Sequence, residues 1–313
     1  MKAAVLHERD GVPRYEDFPD PVAGEGEVIV EVRAVAVENV DRAVAAGTHY
    51  AGRAMMPELP AIPGFDGIGT LPDGRLVGFG NPRPPYGALA ERTVIAAGAF
   101  APIPDGLDPA AATVLPSAIS GMSMKVAAGL QPGESVLVQG ATGVAGRLAV
   151  QVARLLGAGR IVATGRDDEQ LRELGADETI NTSLDDQELR EAYARARTDV
   201  VVDFLWGRPT EILLRAMVPD SFAFPKTLRL VQIGEVAGPD LRLRADSLRT
   251  SGVEIYGAAK GLGPETIGDA YGQVVEWARS GKLTFALERV PLSDIEAAWQ
   301  RTGLRGKRLV VEP

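Results

Sequence analysis

Ser135-Val-Leu-Val-Gln-Gly-Ala-Thr-Gly-Val-Ala-Gly146 is followed by an amphipathic run that closes on Arg160-Ile-Val-Ala-Thr-Gly-Arg166. Val136 to Val138 is a short β-branched run and reads as a buried strand, which breaks into a turn of small residues at Gly140, Ala141, Gly143 and Gly146. Val144, Leu148, Val152, Leu155 and Leu156 then recur at helical spacing until Gly157 and Gly159 stop the helix, and a second apolar strand, Ile161 to Ala163, follows at once. Strand, glycine turn, helix and strand within about 30 residues form a dinucleotide-binding unit. Small residues let the backbone approach a pyrophosphate, and the helix N-terminus offers unpaired N–H groups and a positive dipole end. Gly140, Ala141, Thr142, Gly143, Val144, Ala145 and Gly146 are therefore the expected phosphate contacts. The competing reading is a plain tight turn between strand and helix with no ligand.

The end of the second strand bears on which cofactor is bound. NAD-binding units place an acidic residue about 20 residues past the glycines, where it accepts hydrogen bonds from the ribose 2′-hydroxyl. Here the strand ends in Thr164-Gly165-Arg166. A carboxylate there would repel the 2′-phosphate of NADP, whereas a guanidinium matches it in charge and bonds it through two N–H groups. Arg166 points to NADPH. In the competing reading Arg166 is a solvated charge and Asp167 or Asp168 serves NAD.

At 313 residues the chain accommodates two domains of ordinary size, and its 45% apolar and 24% charged residues suit a globular protein. The net charge of -9, with Lys and Arg scattered, argues against nucleic acid and anionic membranes as partners. Met1 to Glu8 carries too short an apolar run for a signal peptide and reads as a first strand, and no run approaches a membrane span, so the cytoplasm is the expected location. There is no cysteine, and the histidines are His7 and His49, which removes disulfides, thiol catalysis and thiolate zinc sites.

Residues 1 to about 116 read as β-rich, with strands such as Val28 to Val37 and Arg75 to Phe79 set between Pro and Gly turns. From 117 to 262 strands and helices alternate. After the opening unit come a helix at 168–174, a strand near Thr179-Ile180, a helix at 186–196, a strand Asp199 to Phe204, a helix Thr210 to Met217, and strands Arg229 to Ile233 and Val253 to Tyr256. Such alternation predicts a doubly wound parallel sheet covered by helices on both faces. The tail from 263 to 313, with helices Ile267 to Ser280 and Ser293 to Arg301 and a last strand Arg308 to Val311, is expected to rejoin the first domain because the sheet is complete by Tyr256.

In order and spacing the chain resembles the zinc-independent quinone oxidoreductase branch of the medium-chain dehydrogenase/reductases. The likeness rests on Met1-Lys-Ala-Ala-Val5, Glu38-Asn-Val-Asp41, Gly47-Thr-His-Tyr50 and Ile62-Pro-Gly-Phe-Asp-Gly-Ile-Gly69. Tyr86-Gly-Ala-Leu-Ala-Glu91, Pro102-Ile-Pro-Asp-Gly-Leu107, the glycine turn, Gly175-Ala-Asp177 and Arg305-Gly-Lys-Arg-Leu-Val310 continue it. The resemblance implies a Rossmann nucleotide domain at 117–262 and a β-rich, GroES-like substrate domain built from 1–116 and 263–313. The zinc alcohol dehydrogenases of the same superfamily carry Gly-His-Glu where this chain has Gly64-Phe65-Asp66, so no metal site is expected. Without a Lewis acid, alcohol oxidation near neutral pH becomes harder, while reduction of an electrophilic acceptor stays feasible.

The implied chemistry is hydride transfer from NADPH to a quinone or an α,β-unsaturated carbonyl compound, with negative charge collecting on the carbonyl oxygen. Tyr50 matches the tyrosine of enoyl-reducing relatives, and its phenol can donate a hydrogen bond to that oxygen or is a half-exposed loop residue. His49 is the second donor candidate or a solvated loop histidine. Asp41 matches a family aspartate that would organise the nicotinamide end, or caps a helix. Glu38 stands where many relatives have asparagine, which adds a charge near the acceptor. Ser120 falls where the family carries a threonine near the nicotinamide, or is a serine inside a helix.

Leu205, Trp206, Ile233, Gly234 and Lys260 follow successive strands of the sheet, where ligands of such sheets bind. Trp206 is otherwise a packing residue, Lys260 a solvated charge, and Arg147 reads as a surface charge. Two further functions compete with the first: an NADPH-dependent ketone reductase, and a non-catalytic NADPH-binding structural or sensor protein like the crystallin members of the family. The resemblance also implies a homodimer through an edge strand such as Val253 to Tyr256.

Overall fold

A computed structural model describes residues 1–104, 106–220 and 226–313, so Asp105 of the Pro102–Leu107 stretch lies outside the described residues. The chain forms two compact units, Met1–Leu115 with Phe285–Pro313, and Pro116–Thr284.

In the first unit Lys2–Val5 pairs antiparallel with Arg14–Asp17. A mixed sheet forms around the long strand Glu27–Ala36, flanked by Asp66–Thr70, Arg92–Ala96 and Arg308–Glu312. Leu76–Gly80 and Phe100–Pro102 extend one side, and Leu287–Pro291 lies parallel to Arg308–Glu312 on the other. The core of this unit joins Val5, Leu6, Leu89 and Ile95 to Ile295, Leu309 and Val311. Val5, Ile95, Leu309 and Val311 reach that core from the inward side of their strands, and Ile295 from the helix Ile295–Trp299.

The second unit holds six parallel strands in the order Glu178–Asn181, Arg160–Gly165, Ser135–Gln139, Val200–Asp203, Leu228–Gln232, Val253–Gly257. In chain order this is 3-2-1-4-5-6, the doubly wound dinucleotide-binding order. The order reverses between the Ser135 and Val200 strands, and ligands of such sheets bind outside the strand ends at that point. Val200, Val201 and Val202 are wholly buried, as a strand covered on both faces requires. No helix among the described residues is long and apolar enough to cross a membrane.

Several expected elements sit differently. The helix Gly207–Ala216 begins three residues before Thr210, because Pro209 lies in the first turn, where no intrahelical N–H bond is lost. The helix Pro264–Arg279 starts on a proline at its first position and belongs to the second unit, so the return to the first unit falls at Phe285 and not near 263. Its buried face carries Ala270, Val274, Val275 and Trp277. The chain just beyond it is tied to the Val144–Leu155 helix, where the Thr284 N–H donates to Gln151 Oε1 at 2.8 Å and Gln151 Nε2 donates to the Thr284 carbonyl at 2.8 Å. Residues 293–301 form a 3-10 turn, Leu292–Asp294, and a shorter helix, Ile295–Trp299. Short helices at Asn39–Ala46, Gly52–Met55 and Ala245–Arg249 have no counterpart in the sequence reading.

Candidate functional site

The phosphate turn is set by two glycines. Gly140 leaves the Ser135 strand at φ 83°, a conformation that favours glycine. Gly146 touches the turn beneath it so closely that a Cβ would lie 2.3 Å from the Gly140 carbonyl oxygen and 2.7 Å from Ala141 Cα. Thr164, fully buried, pins the turn from the next strand: its Oγ1 accepts from the Gly140 N–H at 3.2 Å and its carbonyl from the Ala141 N–H at 2.7 Å. Thr164 thus shapes the turn. Gly165 leaves room for Thr142, whose Cγ2 would lie 2.7 Å from a Cβ there.

Gly143 caps the Val144–Leu155 helix with no side-chain acceptor. The first N–H groups of a helix have no intrahelical partner, so Val144, Ala145 and Gly146 present donors and the positive end of the dipole. Gly143 itself is exposed, and a Cβ placed there would have 3.7 Å to its nearest neighbour, the Gly140 carbonyl oxygen. Space above Gly143 and unpaired helix donors behind it make a geometry that suits an anion such as a pyrophosphate. Arg147 braces this turn: Nε donates to the Thr142 carbonyl at 3.1 Å, and the guanidinium reaches Gln170 and Glu173. It is a partly buried strut, where the sequence suggested a surface charge.

At the end of the Arg160 strand, Arg166 is exposed, and no hydrogen bond or ion pair among the described residues holds its guanidinium. The rival acids are engaged. Asp167 caps the helix Asp168–Arg172, its Oδ1 accepting from the N–H groups of Glu169 at 3.0 Å and Gln170 at 3.2 Å, while its Oδ2 accepts from Gln170 Nε2 at 2.9 Å. Asp168 Oδ1 accepts from Asn181 Nδ2 at 2.8 Å.

The next strand ends bring the expected backbone contacts side by side. The N–H groups of Ile233 and Gly234 donate to the Asp203 carbonyl at 2.9 and 3.1 Å, and a Cβ on Gly234 would lie 2.6 Å from the Phe204 carbonyl oxygen. The N–H groups of Leu205 and Trp206 donate to Asp203 Oδ1. Lys260 lies with Nζ 3.1 Å from the centre of the Tyr256 ring. Ser120 is inside the helix Leu115–Gly121 and donates to the Ser117 carbonyl at 2.6 Å, so its hydroxyl proton is spent locally.

In the first unit Asp41 is 3% exposed and closes a capping box: its Oδ2 accepts from the Glu38 N–H at 2.8 Å, at the start of the helix Asn39–Ala46. Its Oδ1 accepts from the Phe65 N–H at 3.3 Å. Burial pushes the Asp41 carboxyl up to about 7, against the Glu38 N–H; the Glu38 charge adds to the rise, and the Phe65 N–H and Arg308 oppose it. Asp66 is raised well above the usual carboxylate range, first by burial and then by the charges of Glu38 and Asp41, with Arg308 opposing. Arg308 Nη1 pairs with Glu38 Oε1 at 2.8 Å. Three carboxyl groups thus gather around one guanidinium, a grouping no single stretch of sequence signals. Among the described residues, no group of three or more His, Asp or Glu is arranged to hold a metal ion.

Asp41 also borders a cavity of about 310 Å³ walled by Val44, Met55, Met56 and Ile62. His49 and Tyr50 are not part of its lining. Tyr50 is 96% exposed, well beyond the half-exposed loop residue considered above, and its ring lies 4.4 Å from that of His49. The Ala51 N–H donates to His49 Nδ1 at 3.2 Å, which leaves Nε2 as the imidazole's other polar atom.

Residues 145–219 match the family described as zinc-binding dehydrogenase, and that segment contains neither Cys nor His. Over 96% of both chains the protein is 26% identical to a probable NADPH-dependent quinone reductase of Emericella nidulans. It is 32% identical to prostaglandin reductase-3 of Bos taurus over 47% of this chain and 40% of that protein. The quinone oxidoreductase of Thermus thermophilus, solved alone and with NADPH, superposes with a TM-score of 0.76 at 29% identity over the full length of both chains. Fold, glycine turn and these likenesses mark an oxidoreductase with a Rossmann unit and a GroES-like unit, similar in architecture to the medium-chain dehydrogenase/reductase superfamily. In sequence and fold the chain is similar to the quinone oxidoreductases of that superfamily.

Proposed function

We propose that this protein uses NADPH, with no metal ion, to reduce a quinone or an α,β-unsaturated carbonyl compound. The observation that carries the cofactor half is Arg166, ungripped at the strand end while Asp167 and Asp168 are both engaged. The NADPH named for the E. nidulans and T. thermophilus relatives supports the same reading. The residues fit the cofactor: Gly143, Val144, Ala145 and Gly146 would hold the pyrophosphate, Gly165 and Arg166 the adenosine 2′-phosphate, and Leu205, Trp206, Ile233 and Gly234 the nicotinamide half. When bound, NADPH supplies a hydride equivalent.

This chain's own residues then orient the acceptor and stabilise the charge that develops on its carbonyl oxygen. Tyr50 is the proposed donor to that oxygen: its phenol is exposed and without a hydrogen-bond partner among the described residues. His49, in ring contact with it, is the second donor. Asp41 holds the start of its helix at the edge of the cavity, which is of the size ligand pockets have. The cytoplasm is the proposed place of action, and pairing of the edge strand Val253–Gly257 with its copy the proposed dimer contact. A monomeric mass at micromolar concentration refutes that contact.

Turnover of a panel of quinones, enones and simple ketones with NADPH tests the proposal. Activity on quinones or enones with little on ketones is expected. Turnover of ketones alone overturns the acceptor assignment, and tight NADPH binding with no oxidation across the panel makes the protein a non-catalytic binder.

A further inference from the structure

Beneath the switch point of the parallel sheet lies a buried polar network that the cofactor contacts do not explain. Gln139, Asp203 and Thr210 have no exposed surface, and Tyr193 is 1% exposed. The Tyr193 hydroxyl donates to Gln139 Oε1 at 2.6 Å. Gln139 Nε2 donates to Thr210 Oγ1 at 2.8 Å and to Asp203 Oδ1 at 3.2 Å. Thr210 Oγ1 donates to Asp203 Oδ2 at 2.6 Å.

Asp203 Oδ1 further accepts the N–H groups of Leu205 at 2.9 Å and Trp206 at 3.0 Å. No cation among the described residues touches the carboxylate. Burial raises its pKa, opposed by the Thr210 hydroxyl, the two turn N–H groups and Gln139. A buried charge held only by donors is expensive, and it sits where the N-terminus of the helix Gly207–Ala216 offers positive polarity.

What these bonds hold is an unfavourable backbone. Trp206 adopts φ 56° and ψ -157°, a region that residues with a Cβ avoid unless their surroundings over-determine it. The same turn touches the phosphate turn, since a Cβ on Gly140 would lie 2.9 Å from Leu205 Cδ2. A side-chain tie between the ends of the Ser135 and Val200 strands and a strained turn that lies close over Gly140 are thus parts of one device.

We infer that Asp203 is a positioning residue for the nicotinamide half of the cofactor. Its carboxylate fixes the Leu205–Trp206 turn in the shape that half requires, and Gln139 ties the turn to the strand that feeds the phosphate cradle. This inference rests on the reading that the protein binds NADPH, and is independent of which acceptor is reduced.

The test compares two ligands. NADPH spans both halves of the site, whereas 2′,5′-ADP carries the adenosine and the 2′-phosphate and lacks the nicotinamide. Their dissociation constants are measured for wild type, Asp203→Ala and Asp203→Asn, with thermal unfolding recorded for each.

Asp203→Ala is expected to weaken NADPH tenfold or more while 2′,5′-ADP stays within twofold. Asp203→Asn should recover part of the loss, because its amide oxygen still accepts from both turn N–H groups. A merely structural role would weaken both ligands alike, and that result, or unchanged NADPH affinity, overturns the inference. Should Asp203→Ala fail to fold, Asp203→Asn carries the test, with a loss of about threefold to tenfold for NADPH alone expected and equal losses overturning it. Wild-type protein that binds neither ligand refutes the cofactor reading itself and takes this inference with it. Wild-type protein that binds 2′,5′-ADP and NADPH, with NADPH affinity insensitive to Asp203, refutes the inference and leaves the cofactor reading standing.

Discussion

Gly143 and Gly146 lie three residues apart in one turn, yet an added methyl group should do opposite things at the two positions. At Gly146 the new Cβ would lie 2.3 Å from the Gly140 carbonyl oxygen, and both that oxygen and the nearby Ala141 Cα are backbone atoms. Ordinary contact requires the helix to retreat from the strand by roughly 1 Å, and overpacking of this kind costs about 1–3 kcal/mol. For a domain of this size that lowers Tm by roughly 2–12 °C. At Gly143 the backbone is an ordinary φ of -74° and the nearest atom is 3.7 Å from the new Cβ, so Gly143→Ala should leave Tm unchanged or raise it slightly.

The methyl group at 143 nonetheless occupies the space assigned to the pyrophosphate. Displacing the phosphate from one N–H costs about 1.5–3 kcal/mol, a loss of roughly 10- to 150-fold in NADPH affinity. Thermal unfolding and NADPH fluorescence titration of both variants separate the effects. Gly143→Ala should be stable and weak in binding, and Gly146→Ala weak in both. A Gly143→Ala protein that binds NADPH like wild type would refute the placement of the cofactor over this turn.

Tyr50→Phe should leave the unfolding temperature within about 1 °C, because the side chain is almost fully exposed, and should lower kcat on an enone by roughly 10²-fold if the phenol serves the developing oxyanion; unchanged kcat removes Tyr50 from the site. Asp41 titrates at about 7 in the folded chain against 3.8 as its ordinary value, and Asp66 is shifted in the same direction. Between those values the unfolded chain has released protons that the folded chain keeps, so this contribution to stability is full below pH 4 and is lost as pH rises through 7. Chemical denaturation across pH 4–8 should show that decline in wild type and a flatter profile in Asp41→Asn; parallel profiles contradict it. Asp167→Ala removes the acceptor for two helix N–H groups and should cost about 1 kcal/mol in denaturant unfolding without altering the preference between NADPH and NADH. A switch to NADH would show that Asp167 acts on the ribose.

The parallel sheet was legible because its signals are local. Gly140 and Gly146 stand at the turn where positive φ and close backbone approach demand them, and Val136, Leu148 and Val152 follow strand and helix periods. The division between units was harder to read. The Pro264–Arg279 helix lies beyond the last strand of the sheet, yet it belongs to the second unit, and the chain after it is bonded there through Thr284 and Gln151. Glu38 and Asp41 stood out in the sequence as chemistry, while their capping of a short helix became visible with the backbone. The gathering of Glu38, Asp41 and Asp66 about Arg308, and of Gln139, Tyr193, Asp203 and Thr210 under the turn, depends on residues far apart in the chain. No spacing rule connects such positions. Tyr50 matches a tyrosine of enoyl-reducing relatives, and its near-complete exposure is a property of the loop that the sequence does not encode locally.

The most direct test of NADPH-dependent reduction is the ratio of kcat/KM for NADPH to that for NADH, measured with a benzoquinone acceptor in wild type and Arg166→Ala. Wild type should favour NADPH by at least about tenfold. The variant should lose about 1.5–3 kcal/mol with NADPH and almost nothing with NADH, because only the 2′-phosphate reaches the guanidinium. Equal losses with the two cofactors, or a wild type that prefers NADH, would contradict the account.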